Sequence, residues 1–263
     1  MLLKIENLSV SYRGDADEEF CAAKNVDLEL ERGETLGLVG ESGSGKSSVA
    51  MSVARLLPEK TAVYPTGRIL FNGEDVLKMD ERRLREIRGR KIGVVFQDPI
   101  GSLSPLHPIG EQLTEAVHLH RKMSEAAARD LALEWLAKTG IPEPAVRYRA
   151  LPHELSGGMQ QRVMIAMALI NEPSLVIADE PTTALDVTVQ AQILALLEKL
   201  TAGRSAVLLI THDLGVVSQM ATRLAVMKRG VIVERSEDPA AFFAAPQHEY
   251  SRRLVAEALK TAL

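Results

Sequence analysis

A single cysteine, Cys21, occurs in the 263 residues. It excludes an internal disulfide and any cysteine-based zinc or iron–sulfur centre within the chain, and it suits a reducing compartment. No apolar run reaches the roughly 18 residues that a membrane-crossing helix needs; the most apolar stretches, such as Ala206 to Ile210, are only strand-length. Positive charge is not in excess: 31 Lys and Arg against 35 Asp and Glu leave a formal net charge of −4, so no overall field draws the chain to nucleic acid or anionic lipid. The opening MLLKIENLSV is interrupted by Glu6 and is followed by no small-residue cleavage site, which predicts no secretory leader. Internal repeats and low-complexity segments are also missing. What is present is ordinary for a globular protein, 46% hydrophobic and 25% charged residues, in a chain long enough to bury a substantial core.

Residues 2 to 12 alternate apolar and polar (Leu3, Ile5, Leu8, Val10, Tyr12), as do Val26 to Leu30, so both read as strands. The acidic stretch Asp15 to Glu19 reads as a solvated hairpin loop between them. A short apolar strand is predicted over Thr35 to Val39, then a glycine-rich turn, then a helix from about Lys46 to Leu57 stopped by Pro58. Strands follow at Gly67 to Phe71 and Lys91 to Phe96, with the basic stretch Arg82 to Lys91 forming a charged helix surface. From Asp98 to about Gln161 strand patterns vanish, and helices are predicted around Glu111 to His120 and Ser124 to Lys138. Alternation then resumes with a helix from Gly158 to Ile170, a strand at Leu175 to Ala178, a helix at Thr188 to Leu200 and a strand at Ala206 to Ile210. Short strands near Leu224 to Met227 and Val231 to Glu234 precede a helical tail. Alternating strands and helices imply a mostly parallel sheet covered on both faces. The expected organisation is one domain, with 1–97 and 162–263 forming an α/β core and 98–161 an all-helical insertion.

Gly40-Glu41-Ser42-Gly43-Ser44-Gly45-Lys46-Ser47 fits G-x-x-x-x-G-K-[ST] and sits after a strand and before a helix, as a phosphate-binding loop requires. Glycines let the backbone curl so that successive N–H groups surround phosphate oxygens, and the following helix adds partial positive charge. Lys46 is the candidate partner of the β- and γ-phosphates of ATP and Ser47 the candidate ligand of Mg²⁺; Ser48 completes the nucleotide-binding set. Leu175-Val176-Ile177-Ala178-Asp179-Glu180 is an apolar strand ending in two carboxylates. Such a strand delivers its last residues to the ligand edge of a parallel sheet, which makes Asp179 a Mg²⁺ ligand and Glu180 a general base toward water. An acid capping the next helix is the plainer reading of that pattern taken alone.

Leu155-Ser156-Gly157-Gly158-Met159-Gln160-Gln161-Arg162 resembles the signature motif of ABC-type ATPases. Locally it is a Ser N-cap and two glycines opening a helix, which is also an anion site. The resemblance implies a P-loop NTPase (RecA-like) core with an antiparallel β subdomain on the N-terminal side and an inserted helical subdomain carrying the signature. It also implies obligate head-to-tail pairing with a second ATPase domain, whose ATP would be capped by Ser156, Gly157, Gly158 and Gln161. Further landmarks follow in the family's order. Tyr12 matches the aromatic that stacks on adenine, although it also reads as a core aromatic. Gln97 matches the residue that senses Mg²⁺ and γ-phosphate. Ala184-Leu185-Asp186 matches the loop that communicates across the pair, and His212 matches the histidine that contacts γ-phosphate and orients Glu180, although it also reads as a helix cap with Asp213. On this resemblance Glu180, His212, Lys46 and Gln97 are catalytic, and Ser47, Gln97 and Asp179 serve the metal.

Phe96-Gln97-Asp98-Pro99, Ser102-Leu103-Ser104-Pro105, Ala178 to Val187 and His248-Glu249-Tyr250-Ser251 resemble segments of the peptide and nickel importers. Pro105-Leu106-His107 and Val117 to Arg121 are similar to the first half of tandem ATPases for peptide-like cargo, including microcin. The chain ends at Leu263 without the cysteine-rich tail usual in peptide-importer ATPases, so a short nickel-type subunit and the first half of a tandem chain both stay open. The implied partners are two transmembrane permease subunits and, indirectly, a solute-binding protein, with the chain peripheral on the cytoplasmic face of the inner membrane. Exporter ATPases and soluble nucleic-acid-associated ABC ATPases are the alternatives. His118 and His120, two apart on the predicted helix, face different sides and read as surface residues rather than a metal pair.

Overall fold

The computed structural model describes residues 1–14, 19–183 and 185–261. The expected acidic loop, apart from Glu19, and Ala184 of the Ala184-Leu185-Asp186 segment lie outside the described residues. The chain divides into two compact units, Met1–Leu84 with Ala206–Leu263, and Arg85–Ser205.

The first unit begins with β1 (Leu3–Arg13) and β2 (Glu19–Leu30), an antiparallel pair with Leu3 opposite Leu30 and Tyr12 opposite Phe20. Leu3, Ile5, Leu8, Val26 and Leu30 lie in the core, and an irregularity in the pairing between Ile5 and Leu8, with Asn7 at φ 48°, changes which parity of β1 is buried. Next comes β3 (Thr35–Val39), as predicted, followed by α1 (Lys46–Val53). The predicted helix through Leu57 is four residues too long. Arg55 takes a left-handed conformation (φ 49°), the Leu56 N–H bonds back to Met51 O and the Arg55 N–H to Ser52 O. This is a Schellman stop with arginine in the position glycine usually fills; the Arg55 guanidinium is held by Met79 O at 2.7 Å. Three short strands complete the antiparallel sheet: β4 (Ala62–Val63) and β5 (Arg68–Phe71) pair with β1, and β6 (Glu74–Asp75) pairs with β5. Helix α2 (Glu81–Ile87) holds only the first part of the basic stretch. Gly89 (φ 71°) turns the chain beyond it, and Arg83 pairs with Glu74 at 2.5 Å.

In the second unit β7 (Ile92–Val95) and β8 (Leu175–Asp179) run parallel, with Val95 opposite Ala178. Between them lie α3 (Pro99–Ser102), α4 (Ile109–His118), α5 (Glu125–Lys138), α6 (Pro144–Arg147) and α7 (Gly157–Leu169). Helix α5 starts where its sequence signal lies: the Ser124 hydroxyl accepts the Ala127 N–H. Helix α4 ends at His118, so His120 sits beyond it, half-buried beside Gly89; burial, and then the nearby Arg90 charge, lower its pKa. Helix α8 (Val187–Thr201) closes this unit.

The first unit resumes with β9 (Ala206–Thr211), α9 (Leu214–Met220), β10 (Arg223–Lys228) and β11 (Val231–Ser236), then α10 (Pro239–Ala244) and α11 (Glu249–Thr261). Strand β3 lies parallel between β9 and β10, and β11 is antiparallel to β10. Every residue of β9 is buried, as expected of a parallel strand covered on both faces. Among the described residues no helix is long and apolar enough to cross a membrane.

Candidate active site

In the first unit, β3 ends at Val39 and the chain curls through Gly40–Gly45 into α1. Two glycines are dictated by the packing. A Cβ on Gly40 (φ 153°) would lie 2.1 Å from Met227 O, and one on Gly45 (φ 102°) 2.1 Å from Ala22 O. The loop is thus wedged between the end of β10 and the first part of β2, in a backbone conformation open only to glycine. Gly45 is the N-cap of α1 and offers no side-chain acceptor, and no acid lies in the first turn. No side-chain cap or first-turn acid therefore competes with an anion for the partial positive charge of the helix N-terminus. Ser42, Gly43 and Ser47 are exposed, whereas Ser44 is buried. The Lys46 ammonium, itself buried, donates to Gly40 O at 2.8 Å and Glu41 O at 2.9 Å, across the mouth of the curl. Tyr12 is half-buried, its hydroxyl 3.0 Å from the Ser48 hydroxyl, so it borders the loop rather than filling the core. His212 follows β9 and is exposed; Asp213, not His212, caps α9 by accepting the Gly215 N–H at 2.7 Å.

Substitution Gly45→Ala places a methyl against a backbone carbonyl at a positive φ. It is expected to lower stability by roughly 2 kcal/mol or more and to abolish nucleotide binding, read by thermal denaturation with and without ATP. A melting temperature equal to wild type would contradict the wedge geometry.

In the second unit, parallel register brings the ends of β7 and β8 together, and Gln97 donates to the Glu180 carboxylate at 3.1 Å. A second donor, the Thr183 hydroxyl, reaches the same oxygen at 2.9 Å. Sequence reasoning missed Thr183; its place three residues after Glu180 was the available signal. Glu180 has φ 45°, a strained conformation for a residue with a side chain, of a kind that gathers at functional sites. The carboxylate is held by both donors. Asp179, one residue earlier, is buried at the strand end.

Ser156 caps α7, accepting the Met159 N–H at 3.4 Å, and it and Gly157 are exposed. Gly158 has a packing reason of its own, since a Cβ there would meet Val189 of α8 at 2.9 Å. Gln161 is buried and donates to Pro181 O at 2.5 Å; it ties the signature helix to the segment after Glu180. Asp186 caps α8 through the Val189 N–H at 2.9 Å.

Residues 23–183 match the ABC transporter family. The chain is 52% identical over 257 residues to the peptidoglycan transport ATP-binding protein YejF of Agrobacterium fabrum, covering 97% of this chain and 46% of that protein. It is 46% identical over 256 residues to the oligopeptide transport ATP-binding protein OppD of Bacillus subtilis, covering 97% of this chain and 71% of the relative. The chain belongs to the ABC transporter family. Among solved structures, the ATP-binding cassette MJ0796, a dimer in a post-hydrolysis state bound to ADP and Pi, is 32% identical with a TM-score of 0.79, covering 89% of this chain and 98% of that one. The fold is therefore that of an ABC cassette, a P-loop NTPase, and the chain is an ABC-type ATPase domain. It spans about half the length of YejF, at 46%.

Proposed function

We propose that this ABC cassette binds and hydrolyses MgATP to drive import of peptides or peptide-like solutes, working head to tail with a second cassette beneath two membrane permease subunits. The observation that carries the reading is the Gly40–Ser48 curl, with its glycine-only packing and the buried Lys46 ammonium spanning its mouth. The name of OppD, an oligopeptide transport ATP-binding protein, supports peptide cargo, and the dimeric MJ0796 cassette supports pairing.

Phosphoryl transfer to water needs positioning and charge neutralisation more than covalent help. The loop N–H groups and Lys46 take the phosphates, and Tyr12 takes the adenine. The donor set assigned to the metal, the Ser47 hydroxyl, the Asp179 carboxylate and the Gln97 amide, is oxygen-rich and suits Mg²⁺. A Mg²⁺ ion held by these residues would supply neutralisation of charge on the phosphate oxygens. Glu180, with its carboxylate held by Gln97 and Thr183, accepts a proton from the attacking water, and His212 contacts the γ-phosphate. Ser156, Gly157 and Gly158 of the second cassette close over that phosphate with the N–H groups and partial positive charge of their helix tip. ATP then favours the closed pair because it touches both halves, and hydrolysis releases them. The chain acts peripherally at the cytoplasmic face of the membrane, and a solute-binding protein delivers cargo to the permeases.

The test is reconstitution with the permease pair and solute-binding protein. Stimulation of ATP hydrolysis by an oligopeptide, with uptake of that peptide, is expected. Stimulation by a nickel chelate and not by peptides would overturn the cargo assignment.

A further inference from the structure

The segment His248-Glu249-Tyr250-Ser251 has no part in the chemistry above, yet it reaches the phosphate loop. Tyr250, near the start of α11, is a fully buried large side chain, 1% exposed. Its ring lies in a core cluster with Val39, Val226 and Val255, and Val39 is the residue immediately before Gly40. At the tip of that ring the hydroxyl accepts the Glu41 N–H at 3.0 Å. The Lys228 ammonium stands 4.8 Å from the ring centroid, next in the chain to Met227, whose carbonyl excludes any side chain from Gly40. The segment is itself fixed at its start: the Gln247 and His248 N–H groups donate to the Glu234 carboxylate at 2.8 and 2.9 Å, and His248 Nδ1 accepts the Tyr250 N–H at 3.0 Å.

We infer that Tyr250 is a positioning residue for nucleotide binding, its hydroxyl pinning the Glu41 peptide so that the phosphate loop is set before ATP arrives. The inference rests on the reading of Gly40–Ser48 as the phosphate loop. Lys46 spans the mouth of the curl by bonding the Gly40 and Glu41 carbonyls, and the Tyr250 hydroxyl holds the N–H of the same Glu41 residue. With its first turn fixed from both sides, the loop loses less conformational freedom on taking up phosphate. A buried aromatic with one polar tip is well suited to such pinning, because the ring locks the side chain and the oxygen supplies one directed bond. The ion pair of Arg253 with the Glu41 carboxylate, 3.8 Å between two exposed side chains, adds little beside it.

The experiment is Tyr250→Phe in the full chain, which keeps the ring and removes one oxygen. Affinity for a fluorescent ADP analogue and for MgATP is expected to fall about fivefold, the net worth of one hydrogen bond, with kcat at saturating ATP unchanged. Arg253→Gln is expected to leave affinity unchanged; a loss as large as that of Tyr250→Phe would overturn the assignment to the hydroxyl. A merely structural tyrosine predicts a lowered melting temperature with unaltered nucleotide affinity, and that result overturns the inference. Lys46→Ala separates the two readings. If it abolishes binding while Tyr250→Phe binds normally, the positioning role fails alone; if it binds normally, the phosphate-loop reading fails. Hydrogen exchange of the unmutated chain covers a Tyr250→Phe variant that does not fold: protection of the Glu41 amide without nucleotide is expected, and exchange at the rate of a free amide overturns the inference.

Discussion

Replacing Lys46 with alanine is expected to weaken ATP binding at least about 100-fold, as loss of a buried ammonium facing the phosphates predicts, and hydrolysis should fall with it. Two effects act together. The variant loses the charge proposed to neutralise the β- and γ-phosphates. It also loses the donor that spans Gly40 O, Glu41 O and, at 3.5 Å, the Ser44 hydroxyl. Lys46 is 4% exposed, so water replaces those bonds poorly and the empty curl is expected to open. Titration with a fluorescent ATP analogue, alongside a melting curve, distinguishes lost binding from lost folding. Unchanged affinity and turnover would remove the phosphate-loop assignment.

The second large effect belongs to Glu180→Gln. The substitution keeps the size of the side chain and replaces a carboxylate by an amide of negligible basicity. ATP should still bind, whereas hydrolysis should slow at least about 100-fold, the usual cost of losing a positioned general base. The geometry sharpens this expectation. Gln97 and Thr183 both donate to the Glu180 carboxylate, and φ 45° at Glu180 is tolerated despite its strain. Single-turnover hydrolysis measured beside equilibrium ATP binding separates the two steps. Near wild-type hydrolysis would discard the role of Glu180.

The sequence was most informative where one local rule sufficed. Strand β3 at Thr35–Val39 matches its predicted bounds, because a short apolar run before a glycine-rich turn has few alternatives. The parallel strands β8 and β9 were legible as unbroken apolar runs, which only burial on both faces explains. The Gly40–Ser47 curl was legible because its glycines sit at fixed spacing, and two of them proved to be required by contacts with Met227 and Ala22. Illegible features depended on residues far apart in the chain or on unusual backbone choices. Helix α1 stops on Arg55 in a left-handed conformation, a position where arginine gives no sequence signal. The end of α4 at His118 was likewise hidden, because Leu119 and His120 continue a plausible helical pattern. Thr183 reads as a turn residue until its hydroxyl is seen on Glu180. The Tyr250 hydroxyl reaches Glu41 from the opposite end of the chain, and only the fold brings them together.

The central claim is that one nucleotide is gripped by the phosphate loop of one cassette and the Ser156 helix tip of another. Hydrogen exchange of the Glu180→Gln chain saturated with MgATP tests it directly, with molar mass recorded on the same sample. The account predicts that amides at Gly43–Ser47 and at Gly157–Gln160 both slow, and that the mass doubles. Protection confined to Gly43–Ser47, with the mass of a single chain at full nucleotide occupancy, would contradict it.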